Sequence, residues 1–332
     1  MKKKISINVL LLSCLMVFTI TYFILKSKYK ISPPIQISET QTYNYNMLQT
    51  RLKEYKFIQP LILADSYNES SSLVSLRASI ESFINKKKEN QEADEISVYF
   101  RRLNDGAWIS INPNKAYNPA SMSKLIELIV YLKEAEENPA ILNKKIFFPR
   151  HFSQVIQQNI KDFELKEKAT YTVNDLLLYM IKYSDNDATI LLNLNMNMRI
   201  YKQLFIDLNI PAPPESGEYF TSAVDFSKLF RVLYNGAYLS PEYSEYGLSL
   251  LSLSTFKNGL RKGVDSSVVM ANKFGERIDG NKTQFHEFGI VYVENDPYLL
   301  GVMTMGTSLT QLTQVVTEIS KITYSEYSNL LK

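Results

Sequence analysis

The sequence predicts an α+β fold: an antiparallel sheet flanked by helices, an all-helical lobe, and one N-terminal transmembrane helix ahead of them. Three observations carry this expectation. An apolar run opens the chain. A hairpin signal lies near residue 105. Three strand-like runs and a last amphipathic helix close the chain, about 150 mainly helical residues further on. Sheet strands drawn from both ends of a body, with helices between, argue against a βαβ parallel sheet.

Residues 5–25 hold 21 residues without a charge, enough to cross a bilayer as a helix. Their apolar character persists to Leu25 with no small-residue cleavage pattern, so the expectation is an uncleaved signal-anchor over residues 1–30. The rival is a lipoprotein at Cys14, in Leu11-Leu12-Ser13-Cys14. The eleven positions after Cys14 stay apolar, whereas a lipidated cysteine normally opens a polar tether. Lys2, Lys3 and Lys4 precede the run and Lys26, Lys28 and Lys30 follow it. Counting positive charges therefore leaves the orientation open.

Those six lysines also explain the net charge. The 332 residues contain 37 Lys+Arg and 34 Asp+Glu, a formal +3. Without the first thirty residues the count is 31 basic against 34 acidic groups. A body near −3 has no basic footprint for nucleic acid. A single cysteine excludes a disulfide framework and a cysteine-based zinc cluster. With two histidines, His151 and His286, and no G-x-S-x-G elbow, a Ser-His-Asp triad is not expected. Both histidines read as structural, with a position bordering the site as the alternative for His286.

Residues 31–90 are expected to form a tether and a helical stalk. Pro33-Pro34 sits in a polar stretch, and helical spacing appears in Leu73, Leu76, Ile80 and Phe83–Ile84. The body is then assigned to 91–332. Ile96–Leu103 and Ala107–Ile111 flank Asn104-Asp105-Gly106, a hairpin signal. Helices are expected at 124–136, 173–182, 223–235 and 308–330, and strands at Val268–Phe274, Phe288–Val293 and Tyr298–Met305.

Three short constellations carry chemistry. In Pro119-Ala120-Ser121-Met122-Ser123-Lys124 a serine and a lysine three apart share a helix face. A desolvated lysine can act as base for such a serine. Ser184-Asp185-Asn186 follows the 173–182 helix; Ser184 can relay a proton and Asn186 can hold a substrate amide. Lys273-Phe274-Gly275-Glu276 ends a strand; Lys273 can bind a carboxylate, and Gly275 permits close backbone approach.

In order and context these match S-x-x-K, S-D-N and K-T-G, and from about residue 90 onward the chain resembles class A β-lactamases and penicillin-binding proteins. The resemblance implies Ser121 as nucleophile, Lys124 as its base and Ser184 as proton donor to the leaving nitrogen. It implies Asn186 and Lys273 as substrate ligands, and the backbone N–H groups of Ser121 and Glu276, beside Gly275, as oxyanion hole. It implies no cofactor and no metal. It also implies a small-molecule β-lactam or a peptidoglycan peptide as substrate; joined to the apolar run, the expectation is a monomeric, single-pass protein of the cell membrane with its catalytic domain outside.

The sequence departs from that pattern twice. Phe274 stands where a hydroxyl residue is usual. The E-x-x-L-N loop that supplies a deacylation glutamate is missing; Glu215 and Glu218 occupy the region without the following Leu-Asn. The expected function is therefore a β-lactamase-like serine hydrolase. A DD-carboxypeptidase or penicillin-binding protein, and a non-turnover sensor of β-lactams or wall fragments, stand as alternatives.

Overall fold

The structure is a computed structural model that describes residues 47–52, 61–66, 68–152, 164–293 and 296–330. The apolar run at 5–25, and with it the signal-anchor expectation, lies outside the described residues. Among the described residues no helix is long and apolar enough to cross a membrane.

The central element is a five-stranded antiparallel sheet. Its strands are β3 (Glu95–Arg102), β4 (Trp108–Ile111), β7 (Val269–Asp279), β8 (Lys282–Tyr292) and β9 (Tyr298–Gly306), in the order β4-β3-β9-β8-β7. The Asn104-Asp105-Gly106 signal does form a hairpin, with Arg101 opposite Trp108 and Val98 opposite Ile111. β9 pairs with β3 on one side and β8 on the other. The sheet is therefore closed by the last strand in the chain, and β7 is left as an edge.

Side-chain alternation sorts the sheet into two faces. Ile96, Val98, Phe100, Met270, Phe274, Phe285, Val291, Leu300 and Val302 belong to an outer apolar cluster. There they meet α1 (Val74–Glu89) and α8 (Leu309–Leu330), through Leu76, Ile80, Leu312, Val315 and Ile319. Tyr99, Ala271, Phe288, Ile290, Leu299 and Met303 belong to an inner cluster. This cluster takes in the helical lobe: α2 (Lys124–Glu137), α3 (Val173–Lys182), α4 (Asn186–Asn193), α5 (Met198–Leu208), α6 (Ala223–Tyr234) and α7 (Pro241–Ser252).

Local chemistry sets the lobe's helix starts. Thr172 and Asp175 form a reciprocal capping box at α3, Asp185 caps α4 through the Ala188 N–H, and Ser222 caps α6. α5 begins under an Asn197 cap and stops at Asn209 in the left-handed region.

Several expectations are corrected here. The 74–89 helix is not a free stalk: its buried Leu76, Ile80 and Ile84 pack into the outer cluster. The compact unit accordingly begins at Asn46. Upstream, β1 (Met47–Arg51) and β2 (Leu61–Ser66) form an antiparallel pair where helix was expected. Asp65 on β2 ties this pair to the body, accepting from Arg101 at 3.0 Å and Arg231 at 2.6 Å. β7 and β8 run on past the expected ends to a tight Gly280-Asn281 turn, with Asp279 opposite Lys282. A further small pair, β5 (Lys145–Phe148) with β6 (Ala169–Thr172), interrupts the helical middle.

Candidate active site

The nucleophile candidate sits on a 3-10 turn, Ala120–Ser123, that runs directly into α2. Ala120 adopts φ +48°, a left-handed conformation that costs a non-glycine residue about 1–3 kcal/mol. The turn is held from three sides. The Ala120 N–H donates to Asn118 Oδ1 at 2.9 Å. His286 Nε2 lies 3.1 Å from the Asn118 carbonyl oxygen. The third restraint is Gly275 on β7, where an added Cβ would lie 2.5 Å from the Pro119 carbonyl oxygen and 2.9 Å from the Met122 nitrogen. That clearance requires glycine and brings the edge strand against the turn carrying Ser121.

Ser184 is the point of convergence. It too is left-handed, at φ +57°, between α3 and the Asp185 cap of α4. Its Oγ receives Lys124 Nζ at 3.2 Å and Lys273 Nζ at 3.0 Å. Lys124 Nζ also donates to the Ser184 carbonyl oxygen and, at 2.7 Å, to Asn186 Oδ1. Lys273 Nζ donates to the Phe274 carbonyl oxygen at 2.9 Å and lies 4.3 Å from the Phe274 ring centroid. The three motifs, separated by 60 residues from Lys124 to Ser184 and by 89 from Ser184 to Lys273, thus meet at one hydroxyl.

Both lysines are buried, and no carboxylate among the described residues lies within salt-bridge distance of either ammonium. Burial pushes Lys124 down to about 7, against the pull of Asp185 and Glu127. Burial, and after it the neighbouring Lys124, hold Lys273 well below the ordinary lysine range. Two adjacent buried ammonium groups repel, so the site favours an amine on at least one of them.

Phe274 follows strand alternation. Its side chain belongs to the outer cluster and stacks on Phe256 at 4.1 Å between centroids, while Lys273 and Gly275 serve the inner side. No hydroxyl is offered there. Glu215 and Glu218 are both exposed, and Glu218 pairs with Arg277 beyond Glu276 on β7. Neither is a buried base aimed at Ser121.

His286 is fully buried and neutral, its titration pushed down to about 3 by burial. Its Nδ1 accepts from the Thr304 N–H at 3.1 Å. It is structural, and the structure it supports is the turn carrying Ser121. His151 lies 2.6 Å from Asp187, which directly follows Asn186. The sequence reading missed Glu127. It is one turn beyond Lys124 on α2, 7% exposed, and has a buried Oε2 with no hydrogen-bond partner. Its apolar flanks, Leu125-Ile126 and Leu128-Ile129-Val130, were the available signal.

A model of the beta-lactamase enzyme family matches residues 75–327. The chain belongs to this family. No curated protein sequence matches the chain. Solved structures share its fold at low identity. A mutant of PBP-A, solved as an acyl-enzyme complex with penicillin G, is 18% identical, with a TM-score of 0.65 over 77% of this chain and 97% of that one. A beta-lactamase from Sphaerobacter thermophilus is 16% identical, with a TM-score of 0.64 over 74% and 95%. One from Chitinophaga pinensis is 16% identical, with a TM-score of 0.64 over 76% and 99%. The matched span includes most of α1, in keeping with that helix belonging to the beta-lactamase body.

Proposed function

We propose that this family member is a membrane-anchored serine hydrolase, with its body outside the cell, that forms an acyl-enzyme on Ser121 with a β-lactam or a D-alanyl peptide. The observation that carries the reading is the double contact at Ser184 Oγ, where Lys124 and Lys273 both donate. With ammonium or amine hydrogens on its acceptor side, the Ser184 hydroxyl has its proton to give.

The steps follow from the positions. Lys124, as the amine, takes the proton of Ser121 Oγ, and Oγ bonds to the substrate carbonyl carbon. The oxyanion is held by the backbone N–H groups of Ser121 and Glu276, each worth about 3 kcal/mol in the transition state. The C–N bond then breaks. Ser184 protonates the leaving nitrogen and is itself reprotonated from Lys124. Asn186 binds the substrate amide through its Nδ2, because its Oδ1 is engaged by Lys124. Lys273 faces the substrate's acidic end. Water completes hydrolysis and restores Ser121.

A slow second half is favoured by Glu215 and Glu218 lying exposed, with Glu218 paired to Arg277. That observation supports the penicillin-binding or sensor alternative, in which the acyl-enzyme persists. Intact-mass measurement after penicillin treatment tests the reading. The expected result is an adduct of one penicillin, absent in Ser121→Ala. No adduct on the folded protein overturns it. The decay time of the adduct then separates a hydrolase from a sensor.

A further inference from the structure

The site holds two buried lysines, and the carboxylates within electrostatic reach of them differ in what else they bind. Asp185 Oδ1 accepts from the Ala188 N–H at 2.7 Å and caps α4. Glu287 accepts from the Leu260 N–H at 2.8 Å and from Asn272 Nδ2 at 2.7 Å. Glu276 is part of the open edge of β7 and is half-exposed. Glu127 is different: it is buried inside the lobe and its Oε2 has no hydrogen-bond partner. A buried polar atom in that condition costs about 1–3 kcal/mol, which is a reason to look for work it does.

Its position gives one. Glu127 follows Lys124 by three residues on α2, so the two side chains lie on adjacent turns of one face. We propose that Glu127 is the charge partner of Lys124, a positioning residue whose carboxylate favours the Lys124 ammonium and whose protonation frees the amine to act as base on Ser121. The inference rests on the reading of Lys124 as that base. The coupling is electrostatic, across more than salt-bridge distance: protonating Glu127 removes the negative charge that favours the Lys124 ammonium, so carboxylic acid and amine form together as a neutral pair. In a low-dielectric interior that neutral pair avoids two buried charges. When Ser121 is acylated, its proton refills Lys124 and leaves through Ser184, and Glu127 keeps its own.

The groups around Glu127 fit this role. Lys124 and Tyr131 share its helix, Asn193 closes α4, Tyr201 comes from α5, and Lys273 comes from β7. Tyr131 donates to the Leu192 carbonyl oxygen at 2.7 Å and so is already engaged. Burial pushes Glu127 up and Lys124 down, which brings their titrations toward each other and couples them.

The test is a titration of the full chain carrying 13C-labelled lysine and glutamate, with Lys124 and Glu127 assigned by their loss in Lys124→Met and Glu127→Gln. In the wild type, Glu127 is expected to titrate at least about one pH unit above an ordinary glutamate. In Glu127→Gln, the Lys124 midpoint is expected to fall by about one pH unit, because the carboxylate that favours the ammonium is gone. Glu127→Asp should restore most of that shift. An unchanged Lys124 midpoint in folded Glu127→Gln overturns the proposal. So does an ordinary glutamate midpoint for Glu127 in the wild type, which can be read even if the variant fails to fold. No substrate is needed, so a coupled titration in a protein that penicillin never labels would uphold the charge pair while removing the acyl-enzyme reading.

Discussion

The outer face of the sheet and the inner face beside the lobe bury carboxylates in opposite ways. On the outer side Glu287 sits beneath Gly259 with its oxygens bonded to Leu260 and Asn272. The surroundings are aliphatic and aromatic packing from α1 and α8. On the inner side Glu127 keeps an oxygen without a partner, two lysines are buried without a salt bridge, and Ala120 and Ser184, at the site itself, are left-handed. The outer layer bonds both oxygens of its buried carboxylate and holds the fold together. The inner site leaves polar groups unsatisfied or strained, as expected where charge must move during a reaction. Stability and chemistry are thus separated by the thickness of one sheet.

The largest expected effect comes from the inner side. Lys124→Met should lower the rate of Ser121 acylation by about 10³-fold, with the denaturant midpoint little changed, since a buried charge leaves with it. Kinetics by intact mass and equilibrium unfolding together read both quantities. On the outer side, Ile319→Ala should behave in the opposite way: about 3 kcal/mol less stable, with acylation per folded molecule retained. If Ile319→Ala instead slowed acylation as severely as Lys124→Met, the division between the faces would not hold.

Gly275 joins the two regions, because it lies on the sheet and touches the nucleophile turn. Gly275→Ala should displace that turn and slow acylation by about 10²-fold, and the adduct kinetics measure it. A pH series sharpens the account of Lys124. With its amine form needed and its titration pushed down to about 7 by burial, acylation should rise with pH through neutrality and drop about tenfold per unit below it. The same depression has a stability consequence. Lys124 contributes stability that is full above the ordinary lysine range and lost as pH falls toward about 7.

The smallest effect belongs to the exposed rim. Arg277→Ala removes the contact to Glu218 and should cost under about 0.5 kcal/mol. Glu218→Gln should leave adduct decay unchanged, whereas faster or slower decay would give this loop the role that its exposure argues against.

Much of the site was legible because its residues come in short, ordered groups. Ser121 and Lys124 share a helix start, Ser184 and Asn186 bracket a cap, and Lys273 and Gly275 alternate on a strand. The hairpin at Asp105-Gly106 was legible from turn chemistry. Glu127 was not, since a charged residue in a helix reads as solvent-facing until the partners that bury it are known. Those partners, Asn193 and Tyr201, come from helices more than sixty residues away. The left-handed Ala120 and Ser184 carried no glycine or asparagine to mark them. The first half of β8 was hidden by Lys282, Thr283 and Gln284, whose polar character resembles a loop. α1 has the right periodicity, but nothing local to it says that the sheet lies beneath.

The order of the strands also sets when the candidate site can be completed. Ser121 and Lys124 are made in the first half of the chain, whereas Lys273, Gly275 and the whole of β7–β9 are made in the last fifth. β3 cannot find its neighbour β9 until residues 298–306 have emerged. Such long-range pairing is slow to form and is completed late in synthesis. A chain still being threaded from the ribosome therefore carries a serine with an incomplete charge relay. The candidate site is assembled only when residues 269–306 have been made, a delay built into the order of the strands.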